Sequence, residues 1–129
     1  MEIIKMEKFR TILLTTMFAF IMTITAFAGE FGVSHYDKDG TPKWVYFENN
    51  IPVTNTWIQN QKENWYYCGA DGYLLRETWF HDPSDGKYYY LGSDWSMLHD
   101  TTTPDDYTVG SDGAWIKDGQ VVIVAVTNN

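Results

Sequence analysis

The chain has 129 residues, with 17 Asp and Glu against nine Lys and Arg, which gives a formal net charge of −8. This balance argues against nucleic acid as a partner, because binding to its phosphates requires Lys and Arg. The single cysteine, Cys68, excludes an internal disulfide framework.

Residues 1–28 are interpreted as a signal peptide. Basic residues precede an uncharged, mostly apolar run at 11–27, and the small-x-small ending AFA suits cleavage before Gly29. The alternative is an uncleaved membrane anchor, for which the run is slightly short of the ~20 residues a span needs. We therefore expect a secreted protein with no membrane span after cleavage, beginning with an N-terminal lead-in at 29–43 that contains a turn at 37–40.

Four aromatic segments then recur along the chain. They read WVYF (44–47), WYYC (65–68), YYYL (88–91) and DYTV (106–109). The turn signals after them are ENN (48–50), GADG (69–72), GSDW (92–95) and GSDG (110–113), and a short, mainly apolar triplet follows each turn. Such co-registered recurrence indicates a repeat architecture.

Each unit is predicted to be a β-hairpin, because aromatic tetrads suit a pleated, half-buried surface and Asp-Gly suits a tight turn. A lone hairpin is marginal in water, so about four units at 44–116 should stack as an all-β hairpin-repeat solenoid. Trp95 stands where Gly is expected, which predicts a different turn in the third unit. Cys68 matches Phe, Leu and Val in the sister units, which predicts a packing role.

The segments between hairpins are interpreted as linkers, of which the first two carry a tryptophan at the same place, Trp57 and Trp79. The fourth unit is degenerate in the manner of a terminal cap. The tail at 117–129 is predicted to be a turn followed by a capping strand, with 121–126 as a buried or an edge strand.

Tryptophan, a spacer, WYY, GADG and an apolar triplet, in this order, resemble the choline-binding or glucan-binding cell-wall repeats of exported proteins from Gram-positive bacteria. The resemblance covers 44–115 and is strongest at 57–98. It implies a left-handed superhelix of hairpins with ligand pockets between consecutive units, each lined by three aromatic side chains and sometimes a methionine. By this resemblance one pocket would comprise Trp44, Trp57 and Tyr67, and a second Trp65, Trp79 and Tyr90, with Met97 as its floor.

The resemblance implies a non-catalytic binding module on the bacterial cell surface, with a cell-wall polymer as its partner. Aromatic faces hold a quaternary ammonium by cation–π attraction, and they also stack on the apolar faces of sugars. Both teichoic-acid choline and a surface glucan therefore stay open as ligands. The alternative for each aromatic residue is packing alone.

Catalytic and metal-binding motifs are missing from the sequence. His35, His81 and His99 lie in separate segments without metal-ligand spacing, and His81 falls in a predicted surface loop. The paired aspartates at 37 and 39 and at 82 and 85 are better explained by turns than by calcium. We expect no enzyme activity, no metal and no cofactor. A structural or adhesive scaffold for protein contacts, or the repeat fragment of a larger wall-associated protein, is the alternative function, and homo-oligomer formation is left open.

Overall fold

A computed structural model describes residues 29–127 of the chain, so the predicted signal peptide lies outside the described residues. The described part contains short β-strands and no helix. The strands are β1 (Glu30–Tyr36), β2 (Pro42–Glu48), β3 (Ile51–Pro52), β4 (Thr56–Gln59), β5 (Trp65–Cys68), β6 (Thr78–His81), β7 (Tyr88–Leu91), β8 (Thr101–Thr102), β9 (Thr108–Val109), β10 (Trp115–Lys117) and β11 (Gln120–Val121). Nothing among these residues is a helix that could cross a membrane.

The strands pair as successive antiparallel hairpins: β1 with β2, β4 with β5, β6 with β7, and β8 with β9. The prediction of an all-β hairpin repeat is confirmed. The predicted pairing of each aromatic strand with the triplet after its turn is also present, as β2 with β3 and β9 with β10 in the first and fourth units and as single bridges in the second and third. The sequence did not predict the second partner. Each aromatic strand also pairs with the segment before it, so Trp57 lies opposite Tyr67 and Trp79 opposite Tyr90.

The apolar triplets of the second and third units join each of these units to the preceding one. Leu74 N–H donates to the carbonyl of Trp44 at 2.9 Å, and one unit later Met97 N–H donates to the carbonyl of Trp65 at 2.7 Å. The same two triplets also bond to their own aromatic strands, because Leu75 N–H donates to Tyr67 O at 3.0 Å and Leu98 N–H to Tyr90 O at 2.9 Å. The stack is therefore held by the triplets, because backbone N–H groups buried between units need partners.

The turn of the third unit is the same as in its neighbours, and the prediction of a different turn was wrong. Trp95 has φ 66° where Gly72 has 85° and Gly113 has 81°. Its N–H donates to Gly92 O at 3.1 Å, as Gly72 N–H does to Gly69 O at 3.1 Å. A bulky residue is strained in the left-handed region, and contacts of the Trp95 indole, described below, offset this strain.

The core runs through the aromatic strands. The fourth tetrad positions Cys68, Leu91 and Val109 are 0%, 0% and 1% exposed, which confirms that Cys68 packs where larger apolar residues stand in the sister units. Burial raises the pKa of its thiol to about 11. Cys68 is therefore a small buried hydrophobe in this fold.

The C-terminal segment is an edge and is not buried. After a turn at Asp118 and Gly119, both with positive φ, only residues 120 and 121 pair with β10. Ile123 is 63% and Val124 48% exposed, so the buried reading of 121–126 is wrong. The segment returns to the third hairpin through Val124 N–H, which donates to Gly86 O at 2.9 Å.

His81 belongs to this junction and not to a surface loop. It is the last residue of β6, and its ring stacks on Tyr88 with centroids 4.1 Å apart and planes 2° apart. Its Nε2 lies 2.8 Å from Val124 O.

Candidate functional site

The hairpin register brings aromatic side chains from consecutive units together at three levels of the stack. The central pocket is defined by Trp57, Trp65, Tyr89 and Met97. The N-terminal pocket is defined by Phe31, Trp44, Tyr66, Leu74 and Trp95. The C-terminal cluster is defined by Trp79, Tyr88, Tyr107 and Trp115.

The central pocket opens between the second and third hairpins and has a volume of about 790 Å³. The Trp57 ring centroid lies 6.4 Å from that of Trp65 and 5.2 Å from that of Tyr89, with interplanar angles of 87° and 78°. Met97, from the triplet of the third unit, also lines the cavity. Rings nearly perpendicular to one another present faces from different directions, which is the arrangement that encloses a cation.

Acidic side chains surround this aromatic set. Four carboxylates line the cavity against a single lysine, Lys62; they are Glu63, Asp82, Asp85 and Asp112. Desolvation raises the pKa of Asp112, but hydrogen bonds from Ala114 N–H and from Lys87, with the lysine charge, outweigh it and hold the pKa below its usual value. The pocket therefore combines π faces with an excess of negative charge, and both favour a cationic ligand.

Two of the carboxylates orient the aromatic walls. Trp57 Nε1 donates to Asp82 Oδ2 at 2.8 Å, and the Tyr89 hydroxyl donates to Asp85 Oδ2 at 2.7 Å. Burial, followed by this hydrogen bond, raises the pKa of Tyr89, so its hydroxyl keeps the proton that it donates. The pocket is thus pre-organised before any ligand arrives, which lowers the entropic cost of binding.

The Asp82 carboxylate is 6% exposed and also accepts hydrogen bonds from the Ser84 N–H at 2.8 Å and the Ser84 hydroxyl at 2.6 Å. Desolvation raises its pKa, but the hydrogen bonds from Ser84 and Trp57 and the nearby His81 together hold it below the usual value.

The same set of hydrogen bonds, from a tryptophan and a hydroxyl to one aspartate, recurs one unit later with the aspartate and the hydroxyl residue in exchanged positions. Trp79 Nε1 donates to Asp105 Oδ2 at 2.9 Å, and the Thr103 hydroxyl donates to Asp105 Oδ1 at 2.6 Å. The chain reads Asp-Pro-Ser at 82–84 and Thr-Pro-Asp at 103–105, so carboxylate and hydroxyl change sides of the proline. Sequence reasoning assigned Asp82 to a turn only and did not single out Asp105; the signal that could have revealed their bonds to tryptophan is this mirrored motif.

The N-terminal pocket is the counterpart of the central pocket one unit earlier and has a volume of about 400 Å³. Strand register makes Phe31 equivalent to Trp57, because they lie opposite Tyr46 and Tyr67. Repeat position makes Trp44, Tyr66 and Leu74 equivalent to Trp65, Tyr89 and Met97. Trp95 adds a wall from the third unit, with its ring centroid 6.4 Å from that of Trp44.

The C-terminal cluster is filled by its own tryptophan. Trp115 occupies the repeat position of Met97 and Leu74. Its ring centroid lies 5.3 Å from that of Tyr107, 5.7 Å from Tyr88 and 6.4 Å from Trp79. A large indole at this position takes the space that is open at the other two levels.

The seven residues named from the sequence are grouped differently in the structure. Trp57 contacts Tyr67 with centroids 5.1 Å apart, and Trp79 contacts Tyr90 at 5.3 Å. Trp44 lies one level away, in the N-terminal pocket, while Trp65 and Met97 join Trp57 in the central pocket.

Tyr67 and Tyr90 are each 8% exposed and stand behind their tryptophans, with burial as the main cause that raises the pKa of both phenols. Phe31, Tyr66, Tyr89 and Trp95 were missed. Pairing each aromatic strand with the segment before it would have identified the first three.

No described group of three or more His, Cys, Asp or Glu side chains is arranged to hold a metal ion. The aspartates for which turns were predicted do serve turns. Asp39 accepts a hydrogen bond from Thr41 N–H, and Asp85 accepts one from Lys87 N–H.

Fold and pockets together define a hairpin-repeat module with aromatic pockets between its units. Residues 83–115 match the family model described as choline-binding repeat. The choline binding protein F from Streptococcus pneumoniae is 30% identical with a TM-score of 0.50, over 64% of this chain and 26% of that one. Residues 83–115 thus match a choline-binding repeat, in agreement with the resemblance stated from the sequence.

Two further solved structures share the fold. The choline binding domain of Spr1274 in Streptococcus pneumoniae is 24% identical with a TM-score of 0.50, over 67% of this chain and 96% of that domain. The modular Cpl-1 endolysin, complexed with a peptidoglycan analogue, is 24% identical with a TM-score of 0.51, over 70% of this chain and 25% of the endolysin. The chain therefore spans nearly all of one domain but about a quarter of the longer relatives. No curated protein sequence matches it.

Proposed function

We propose that this chain is a non-catalytic module that attaches to a cell-wall polymer by binding the quaternary ammonium group of choline in the central pocket. The observation that carries the proposal is the coincidence of three aromatic walls, Trp57, Trp65 and Tyr89, with four carboxylates around one lysine. A trimethylammonium group donates no conventional hydrogen bond, so π faces and distributed negative charge are what can hold it.

The expected affinity of one pocket is modest. Each favourable cation–π contact contributes about 0.5–2 kcal/mol, so a total near 4 kcal/mol corresponds to a dissociation constant of about 1 mM. Retention at a surface would then depend on a polymer that presents many choline groups, because linked sites raise the effective concentration. We accordingly propose export through the signal peptide at 1–28 and a location at the bacterial cell surface.

The test is a calorimetric titration with choline and with 3,3-dimethylbutan-1-ol, in which carbon replaces the charged nitrogen. We expect choline to bind and the uncharged analogue to bind at least about tenfold more weakly, a difference of ~1.4 kcal/mol. Trp65→Leu should weaken choline binding, because Trp65 is 39% exposed and lines the pocket. Trp44→Leu changes the equivalent residue one unit earlier and is the matched control. Equal binding of choline and its analogue, or no binding of either, would contradict the proposal.

A second candidate is a scaffold for protein contacts. The observation in its favour is the exposed apolar edge at the C-terminus, where Val121, Ile123, Val124 and Val126 are 39%, 63%, 48% and 39% exposed. Sedimentation of the wild type and of an Ile123→Lys variant distinguishes the two functions. The scaffold would be favoured if the wild type associates, the Ile123→Lys variant does not, and the titration detects no choline binding.

A further inference from the structure

Two equivalent pockets in this chain differ systematically in charge and in shape. Two of the positions that the repeat makes equivalent carry the difference. Asn60 and Asp82 both accept an N–H two residues on, at 3.0 Å from Lys62 and 2.8 Å from Ser84, so a neutral amide stands where the central pocket has a carboxylate.

The second difference is the fourth wall. The last residue of the turn next to each pocket differs: it is Gly113 at the central pocket and Trp95 at the N-terminal pocket. A Cβ at Gly113 would lie 2.5 Å from the Met97 sulfur, so a side chain there would displace the end of Met97 from the central pocket. At the other level the indole closes the pocket, although φ 66° disfavours a bulky residue. Residues held in strained conformations mark places where the surrounding structure over-determines them, often for binding.

The Trp95 ring is held firmly in place. The Arg76 guanidinium lies over it, 5.1 Å from the ring centroid. Arg76 Nε donates to Ser93 O at 2.8 Å, and its NH1 group pairs with Glu77 at 2.8 Å. Arg76 lines the adjoining polar cleft and not the pocket, so the wall that faces the pocket is backed by a positive charge.

This electrostatic setting disfavours a cation. Among the residues that line the N-terminal pocket, Asp94 alone carries a charge, and behind Trp95 lies the ion pair of Arg76 and Glu77. The central pocket has four carboxylates against one lysine. Attraction of a cation by the ring quadrupole is weakened when a second cation already lies over the same ring.

The polar groups of the N-terminal pocket suit hydroxyls. Asn60 Nδ2 donates to the Tyr66 hydroxyl at 3.2 Å, which leaves the phenolic proton to be donated elsewhere. Asp94 accepts from Ser96 N–H and from the Ser96 hydroxyl, both through Oδ1, so its Oδ2 can accept a ligand hydroxyl. Flat apolar faces with a few polar groups at the rim are typical of small-ligand sites.

From these differences we propose that the N-terminal pocket is a second binding site, specific for a neutral pyranose sugar whose apolar C–H face stacks on Trp95 and Trp44. The ligand class differs from that of the central pocket, so the two sites would recognise different parts of a sugar-containing surface polymer. Trp95 is the specificity-determining residue, because the central pocket has a glycine, Gly113, at the equivalent position.

The test follows the six tryptophan indole N–H signals by NMR in the ¹⁵N-labelled chain. The probes are choline, an N-acetylglucosamine trisaccharide and a glucose trisaccharide, which distinguish a wall glycan from a surface glucan. At least one trisaccharide should shift the Trp44 and Trp95 signals, and choline should shift those of Trp57 and Trp65. Trp95→Gly restores the residue of the sister turns, so the fold should persist; this variant should lose at least about tenfold in sugar affinity, ~1.4 kcal/mol, with choline affinity unchanged.

Three results would overturn the inference. The first is that neither trisaccharide shifts the Trp44 or Trp95 signal, and the second is that choline shifts these two signals at the concentration that shifts the Trp57 signal. The third is that Trp95→Gly binds sugar with the affinity of the wild type. Trp44→Leu is a second variant at the same pocket and should also weaken sugar binding. A failure of choline to shift Trp57 would count against the proposed function and would leave the sugar site standing.

Discussion

Replacing Asp82 by asparagine should both destabilise the fold and weaken choline binding. The carboxylate is 6% exposed and accepts three hydrogen bonds: from Trp57 Nε1 at 2.8 Å, from Ser84 N–H at 2.8 Å and from the Ser84 hydroxyl at 2.6 Å. An asparagine side chain keeps one acceptor oxygen. If that oxygen serves Ser84, the amide nitrogen faces the indole N–H, and two donors then oppose each other.

The expected loss follows from one charge-assisted hydrogen bond, which contributes about 1.5–3 kcal/mol. We expect the free energy of unfolding of Asp82→Asn, measured by urea denaturation, to fall by this amount. Choline affinity should fall as well, because the bond orients Trp57 in the central pocket. Asp105→Asn is the matched control: it breaks the equivalent bond to Trp79, but the Asp105 side chain is exposed, so water replaces the lost partner and the destabilisation should be smaller.

A double-mutant cycle isolates the bond itself. Trp57→Phe keeps an aromatic ring and removes the donor, so Asp82→Asn should cost less in that background than in the wild type. If Asp82→Asn unfolds at the wild-type urea concentration, or costs the same with and without the Trp57 donor, the anchoring role of Asp82 is refuted.

The remaining predictions concern stability and reactivity. Because the pKa values of Asp82 and Asp112 are lowered in the fold, their contribution to stability should be complete above about pH 5 and be lost as the pH drops below the unfolded carboxyl value of ~3.9. Urea midpoints of the wild type and of Asp82→Asn at several pH values test this, and a difference between the two that does not shrink on acidification would contradict it. Cys68, 0% exposed and with a pKa raised to about 11, should resist iodoacetamide at pH 8 until urea unfolds the chain; mass spectrometry of alkylation would refute this if the native chain reacts as fast. Leu91→Ala should lower the free energy of unfolding by about 2–5 kcal/mol, since Leu91 is fully buried, and a loss below 1 kcal/mol would show that the site relaxes freely.

The hairpin repeats could be predicted because their signals are local. Aromatic tetrads, Asp-Gly turns and apolar triplets recur in register, and each is dictated by backbone conformation within a few residues. The burial of Cys68 followed in the same way, from its alignment with Leu91 and Val109. Stacking of the units followed because one hairpin cannot bury an apolar face alone.

The second partner of each aromatic strand, the segment before it, could not be decided from the pattern. The segment before β5 and the triplet after it both carry apolar residues at compatible spacing, and both lie within hairpin reach. The structure uses both, and the N–H groups of Leu74 and Met97 are in addition taken by carbonyls of the preceding unit. Pairing with the preceding segment places Trp65 with Trp57, and Trp44 lies at another level.

The sequence by itself determined an acidic chain of aromatic hairpins with the tryptophans of a binding repeat. Only the tertiary structure decided which aromatic residues meet, that Trp115 fills one level while Met97 leaves another open, and that carboxylates from three units gather at the central pocket. The physical reason is the sequence distance over which each interaction acts. Turn and strand preferences act between neighbours in the chain, whereas a pocket is set by side chains such as Trp57 and Asp82, 25 residues apart, which meet only when the units stack.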